Sequence, residues 1–183
     1  MTSPIDRLHK DHAHFAQLLR IVERELDRIE ALEHEDHDLM LDVMSYITRY
    51  SDRVHHPTED LLYARLADKS PRARTSLAEV PRDHEALLHE GSAFKTTLTM
   101  IADGGMVLRE DILVQGRAYL DHLRRHMVLE EEHLFPMART VLDEADLAEV
   151  DQILNEQRDP IFGDVVESDF ADLYQHIQRE QAQ

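Results

Sequence analysis

The chain has 183 residues, with 38 aspartates and glutamates against 20 lysines and arginines, and a formal net charge of −18 at pH 7. This charge argues against binding to nucleic acid or to an anionic membrane surface, because both require clustered positive side chains. The absence of cysteine excludes disulfides, thiol catalysis and cysteine-ligated zinc or iron–sulfur sites.

Apolar residues recur every three or four positions along most of the chain, which predicts amphipathic helices. The first predicted helix fades in the polar run 33–36, and the second covers about 36–67. The dipeptide Ser70-Pro71 is typical of a helix start, and Gly104-Gly105 of a helix end, which predicts a third helix between them. A fourth helix is predicted over about 106–140.

Four long helices with short connections predict an all-α protein built as an up-down-up-down four-helix bundle. We expect residues 1–141 to form this bundle and residues 142–183 to form a helical extension that packs on it. The extension carries Phe170, Leu173 and Ile177 at helical spacing, which favours docking on the bundle over a dimer contact. The chain lacks a long apolar segment and a cationic, apolar start, so we expect a cytoplasmic protein. We also expect it to be a monomer or a weak homodimer.

Histidine and glutamate interrupt the apolar stripe of each predicted long helix. The interrupting residues are His12, His55, Glu59, His84, His126 and Glu130. Burying such groups in a bundle core is costly unless something satisfies them, and a divalent metal can satisfy several at once. Counted from one end of the bundle, all six lie within about 9 Å of one another along its axis, at roughly 1.5 Å per residue. Two metal ions about 3.5–4 Å apart would fit such a layer.

The six residues also form a repeat. His12 precedes His55 by 43 residues, and His84 precedes His126 by 42. Each half has a lone histidine after an aspartate, then a histidine and a glutamate four residues apart, followed by a second acidic residue. Because positions i and i+4 share a helix face, two similar hairpins would build a site with approximate two-fold symmetry.

Other polar residues lie near this layer on the predicted helices. The sequence leaves open whether His122, His9, Tyr119 or water completes the coordination of the ions. The helical positions of His56 and Asp60, beside Arg49 and Asp52, assign both residues to a solvated face. Pro57, inside the second predicted helix, predicts a kink beside the site.

The segments around the histidines and glutamates of this layer resemble the bacterial hemerythrin-like proteins, also called the HHE cation-binding domain family. The matching stretches are Leu8–His12, His55–Tyr63, Asp83-His84 and His126–Pro136. The resemblance implies a four-helix bundle around a non-haem di-iron centre, with Glu59 and Glu130 as bridging carboxylates. It also implies that the terminal ligands are His12, His55, His84 and His126.

The resemblance to the animal oxygen carriers of this family is incomplete. Those proteins have two histidines one turn apart on the third helix, whereas here Val80 and Leu88 flank His84 at those spacings. The site is therefore at least one histidine short of theirs. This leaves positions for His122, His9 or exchangeable ligands.

The sequence is compatible with several metals and with two classes of activity. Imidazole and carboxylate without sulfur suit iron, manganese or zinc, and the family resemblance favours two iron ions. A ferritin-like site is disfavoured, because it needs Glu-x-x-His on two helices and only Glu130 and His133 have that spacing inward. One class of function is binding or sensing of oxygen or nitric oxide, or holding of iron. The alternative is a di-iron enzyme acting on peroxide, as a catalase or peroxidase, or on another small oxidant.

Overall fold

The computed structural model describes residues 3–156, 158–163 and 165–181, and these residues form helices without strands. The α-helices are α1 (Pro4–Ala31), α2 (His37–Tyr50), α3 (His56–Lys69), α4 (Pro71–Ser76), α5 (Val80–Ala102), α6 (Arg109–Leu129), α7 (Phe135–Val141), α8 (Glu144–Glu156) and α9 (Ala171–Gln181). A π-helical turn at Ser51–His55 joins α2 to α3, and another at Glu130–Leu134 joins α6 to α7. A 3₁₀ turn, Ser168–Phe170, precedes α9.

The long helices form the four-helix bundle that the sequence predicts. Helix α1 packs against α2 and α6, and α5 packs against the same two helices. Gly116 on α6 permits one of these close approaches, because a Cβ atom there would lie 2.9 Å from the side chain of Leu26 and 3.0 Å from that of Phe94. Helix α5 ends close to the predicted glycine pair, and Gly104 has a φ of 81°, a conformation that suits glycine at a helix end.

The two π-helical turns explain how the bundle accommodates proline. In the first turn, the backbone N–H of His56 donates to the carbonyl of Ser51, five residues earlier. Pro57 follows directly, at the position where the sequence predicts a kink, and it lacks the N–H that a regular helix requires. The second π turn is likewise followed closely by Pro136. In both places the π-helical turn accommodates the hydrogen bond that proline cannot make, and the helical segment continues beyond it.

The core consists of two apolar clusters separated by a polar layer, which we define as His12, His55, Glu59, His84, His126 and Glu130. The larger cluster includes Phe15, Leu19, Met44, Ile47, Val54, Leu87, Phe94, Leu123 and Met127. The smaller cluster includes Ile5, Leu8, Leu62, Leu66, Val80, Leu134 and Ala138. On every rod of the bundle the polar residues fall between a member of one cluster and a member of the other. Apolar packing therefore encloses the layer from above and below.

The C-terminal helices lie against the bundle. Helix α8 contacts α1 and α3, and α9 contacts α2. Val150 of α8 belongs to the smaller cluster and Leu154 to the larger one. The division of the chain at residue 141 stays a prediction. Among the described residues, every helix is too short or too polar to cross a membrane.

Candidate metal centre

The structure brings the six residues of the polar layer together in the interior. Glu59 and Glu130 are fully buried, and the four histidines are at most 6% exposed. The Nε2 atom of His55 lies 3.0 Å from Oε1 of Glu59, and Nε2 of His126 lies 3.1 Å from Oε2 of Glu130. The two predicted pairs, each four residues apart in sequence, therefore form as pairs within the fold.

The two glutamates occupy the middle of the layer. The Nε2 atom of His12 lies 3.4 Å from Oε1 of Glu59 and 3.3 Å from Oε2 of Glu130. The Nε2 atom of His84 lies 3.7 Å from Oε2 of Glu59 and 3.9 Å from Oε1 of Glu130. Each lone histidine thus faces both carboxylates, which gives the layer the approximate two-fold symmetry expected from the sequence repeat.

Each histidine of the layer turns its other ring nitrogen, Nδ1, towards an outer carboxylate. The pairs are His12 with Glu131 at 2.8 Å, His55 with Asp11 at 3.2 Å, His84 with Asp60 at 2.9 Å and His126 with Asp83 at 2.8 Å. A carboxylate only accepts, so Nδ1–H donates and Nε2 faces inward, where its lone pair can bind a metal ion that displaces any proton there. This is the arrangement by which proteins orient metal-binding imidazoles.

The outer carboxylates come from the same sequence repeat as the layer itself. Asp11 and Asp83 each precede a lone histidine, and Asp60 and Glu131 each follow a glutamate of the layer. The sequence repeat identifies these acidic positions, but it does not predict that they contact histidines. Periodicity identifies which residues face the core, and it does not show which acidic side chain reaches an imidazole on a neighbouring helix.

Five atoms of the layer are buried without a hydrogen-bond partner among the described residues. They are Oε1 and Oε2 of Glu59, Oε2 of Glu130, Nε2 of His84 and Nε2 of His126. A buried polar atom left unpaired costs about 1–3 kcal/mol. A cation at this point would satisfy several of these atoms together, so the donor set fits a metal ion.

The pKa values of the histidines reflect the surrounding negative charge. Burial lowers the pKa of His126, but its hydrogen bond with Asp83 and the nearby carboxylate of Glu130 outweigh burial and raise the pKa to about 10. For His84, burial acts in the same way, and the hydrogen bond with Asp60 together with the nearby carboxylate of Glu130 raises the pKa to about 9. Protons therefore supply positive charge to the metal-free layer, and a metal ion would replace them.

The glutamates of the layer show the opposite shift. Burial and the charge of Glu130 raise the pKa of Glu59, but the nearby imidazoles of His55 and His12 lower it to about 2. The pKa of Glu130 is also held well below its ordinary value, because the nearby imidazoles of His12, His126 and His84 outweigh burial. Both carboxylates are therefore ionised, which is the form that binds metal.

A fifth histidine, His56, lies beside the layer. It is 5% exposed, and its ring stacks on that of His84 with centroids 4.3 Å apart and an interplanar angle of 9°. The Ser51 hydroxyl lies 3.1 Å from its Nε2 atom. One ligand atom each from His56, Glu59, His84 and His126 fall within 4.8 Å of one another.

The prediction of a solvated face for His56 is therefore wrong. The π-helical turn adds one residue to the helical repeat, which rotates the following residues by roughly 100° relative to a regular helix. Burial lowers the pKa of His56 well below its ordinary value, so its imidazole is neutral and can bind metal. The proline directly after His56 was the sequence signal that the regular periodicity fails at this point.

The structure does not bring the weaker candidates into the layer. Both ring nitrogens of His122 lie 2.8 Å from acceptor oxygens, one on Asp83 and one on a neighbouring glutamate. His122 therefore contacts the layer only through Asp83. His9 is exposed, with Nδ1 2.7 Å from Oε2 of Glu131. Tyr119 lies in the larger apolar cluster.

The two halves of the layer differ in one further buried contact. The Tyr63 hydroxyl donates to Oε1 of Glu130 over 2.8 Å. When His55 is aligned on His126, the equivalent of Tyr63 in the other half is Leu134, which cannot make this bond. Glu130 is thus held by a phenol, and Glu59 is not.

The comparisons with known proteins agree with this chemistry. The family model described as hemerythrin HHE cation binding domain matches residues 3–138. No curated protein and no solved structure matches the chain.

Proposed function

The chain belongs to the hemerythrin HHE cation-binding domain family, and on that premise we propose that it holds two non-haem iron ions and binds a small diatomic ligand, oxygen or nitric oxide. The observation that carries the proposal is the convergence of five unpartnered nitrogen and oxygen atoms inside the polar layer. Nitrogen and oxygen donors without sulfur suit iron. The bound ions would supply the coordination positions and the electrons for such a ligand.

The contacts within the layer support a role for each residue. Glu59 and Glu130 would bridge the ions, because each carboxylate faces histidines from both halves. The terminal ligands would be His12, His55, His84 and His126. Their outer carboxylates hold each ring in place and keep Nδ1 protonated, so that Nε2 is free for metal.

The fifth histidine makes the two ion positions unequal. His56, His84 and His126 group around one position, and His12 and His55 around the other. With both bridging glutamates counted at each ion, the protein offers five donors to the first and four to the second. The position with four protein donors would therefore leave more room for an external ligand.

The surroundings of the layer favour a very small ligand. Five surface cavities, with volumes of 260 to 790 Å³, are lined by residues other than the layer and His56. An organic substrate in any of them would not reach the ions. The burial of the layer also keeps bulk water from the bridging carboxylates.

The proposal is tested by metal content and by gas binding. Protein produced with ample iron is expected to contain about two irons per chain, matching the two ions for which the layer has room. It is also expected to show the visible absorption of a carboxylate-bridged di-ferric centre. After anaerobic reduction, addition of oxygen or nitric oxide should yield a long-lived adduct. Full occupancy by zinc in place of iron, or rapid oxidation without an adduct, would contradict it.

Tyr63 favours a second candidate, a di-iron enzyme acting on peroxide. Its phenol is buried against Glu130, where it can donate a proton close to the ions. Sustained oxygen release when the oxidised protein is mixed with hydrogen peroxide would support the enzyme over the binding protein. Tyr63→Phe keeps the ring and removes the hydroxyl, so a slower release in this variant would assign the proton donation to Tyr63.

A further inference from the structure

A second group of metal-ligating side chains lies outside the polar layer, where the segment before α9 crosses α1. Three possible ligand atoms, one each from Asp11, His14 and Asp159, lie within 4.8 Å of one another. The three residues line a surface cavity of 590 Å³. We propose that Asp11, His14 and Asp159 bind one divalent transition-metal ion, at a third site separate from the pair of ions in the layer.

The side chain of His14 is prepared for such an ion. Its ring stacks on Phe162, with centroids 3.7 Å apart and an interplanar angle of 14°. Its Nδ1 atom is buried and has no hydrogen-bond partner among the described residues. This nitrogen is therefore available as a ligand atom.

Asp159 is held in place by bonds that leave it available as a ligand. The backbone N–H groups of Ile161 and Phe162 donate to its Oδ1 atom over 2.9 and 2.8 Å, and the Tyr46 hydroxyl donates to Oδ2 over 3.0 Å. Burial raises the pKa of Asp159, and the charge of Asp11 adds to this effect. A cation between the two carboxylates would relieve their repulsion.

Asp11 connects this site to the polar layer. Its Oδ2 atom accepts from the Tyr50 hydroxyl over 3.3 Å and lies 3.2 Å from Nδ1 of His55. Both contacts use Oδ2, so Oδ1 can serve the third ion. The same carboxylate would then orient a histidine of the layer and hold a cation on the outside of the bundle.

The charges around the cavity set the expected order of filling. Arg7, Lys10 and Arg158 line the same cavity, and their positive charge opposes a divalent cation. The layer has two fully buried carboxylates and at least four imidazoles, whereas the third site offers two carboxylates and one imidazole. We therefore expect the third site to fill after the layer. One imidazole with two carboxylates suits manganese, iron or zinc.

The test is a manganese titration of the full, iron-loaded chain, with free Mn²⁺ followed by electron paramagnetic resonance. We expect one Mn²⁺ to bind per wild-type chain. His14→Phe keeps the stacked ring, and Asp159→Asn keeps a hydrogen-bond acceptor, so both variants retain the local packing. Each should bind Mn²⁺ more than tenfold more weakly, since loss of even an outer hydrogen-bond partner costs about 10- to 100-fold in metal affinity. His89→Phe, at an exposed position, is the matched control and should bind as the wild type does.

Two results would overturn the third site: no Mn²⁺ uptake by the wild type, or equal uptake by the wild type and both variants. The iron content of the same samples reports separately on the layer. Wild-type protein without iron would contradict the proposed function, while the difference in Mn²⁺ uptake between wild type and His14→Phe would still decide the third site.

Discussion

The two halves of the polar layer contribute the same kinds of side chain to the layer, but they differ in the residues beside it. Each half supplies one lone histidine, one histidine–glutamate pair and two outer carboxylates, and its second outer carboxylate crosses to the lone histidine of the other half. The half with His55 adds His56 and Tyr63, whereas the equivalent positions in the other half are Met127 and Leu134. Under the proposed function, the repeat would supply a shared pair of bridging carboxylates, and the departures from the repeat would make the two ion positions chemically different.

Removal of either glutamate is expected to have the largest effect. In Glu59→Ala or Glu130→Ala, both ions should be lost together, because a bridging carboxylate serves both. Metal analysis of the purified variants measures this, with the exposed Glu110→Ala as a control that should keep its iron. Retention of one ion in either variant would show that the glutamate binds a single ion and does not bridge the two.

The protonation of the histidines is expected to produce the next largest effect. The pKa values of His84 and His126 are raised to about 9 and about 10 in the metal-free fold. Their stabilising contribution is fully present below the unfolded value of about 6.5 and is lost as the pH rises through 9 and 10. Denaturant unfolding of metal-free protein should therefore show lower stability at pH 10 than at pH 6. Iron-loaded protein should lose less, since its ions have already displaced these protons.

Replacement of an outer carboxylate sharpens the comparison at a single histidine. In Asp83→Asn, His126 loses its charged acceptor, so metal affinity should fall by about 10- to 100-fold. Competition with a coloured chelator measures the change, and the exposed Asp111→Asn is a suitable control. An unchanged affinity would mean that the orientation of His126 depends on packing alone.

The smallest predicted effect is on the inequality of the ions. His56→Met introduces the side chain found at the equivalent position of the other half, Met127. The Mössbauer spectrum of the iron-loaded wild type should contain two distinct doublets, and in the variant these should approach each other while the iron content changes little. Two doublets that persist unchanged in His56→Met would show that His56 does not bind iron.

The sequence contains enough information to predict the bundle and the six residues of the layer. Regular periodicity assigns His12 and His84 to the core, and the repeated spacing brings the two pairs to one height. Periodicity fails for His56, because the π turn before it widens the helix and buries two neighbouring positions. The outer pairings, such as that of Asp83 with His126, could not be predicted either. They depend on side chains that reach between helices, in a chain with 38 acidic residues.

The charged polar layer that divides the apolar core affects how this molecule unfolds. One end of the bundle packs around the smaller cluster. Helix α8 spans the polar layer, because its Val150 belongs to the smaller cluster and its Leu154 to the larger one. Once bound cations are withdrawn, only protons on the histidines offset the charge of the buried carboxylates, which weakens the packing across the layer between the two ends. Local opening should then begin at this end, and a chelator that strips the protein would loosen it before the rest of the chain unfolds.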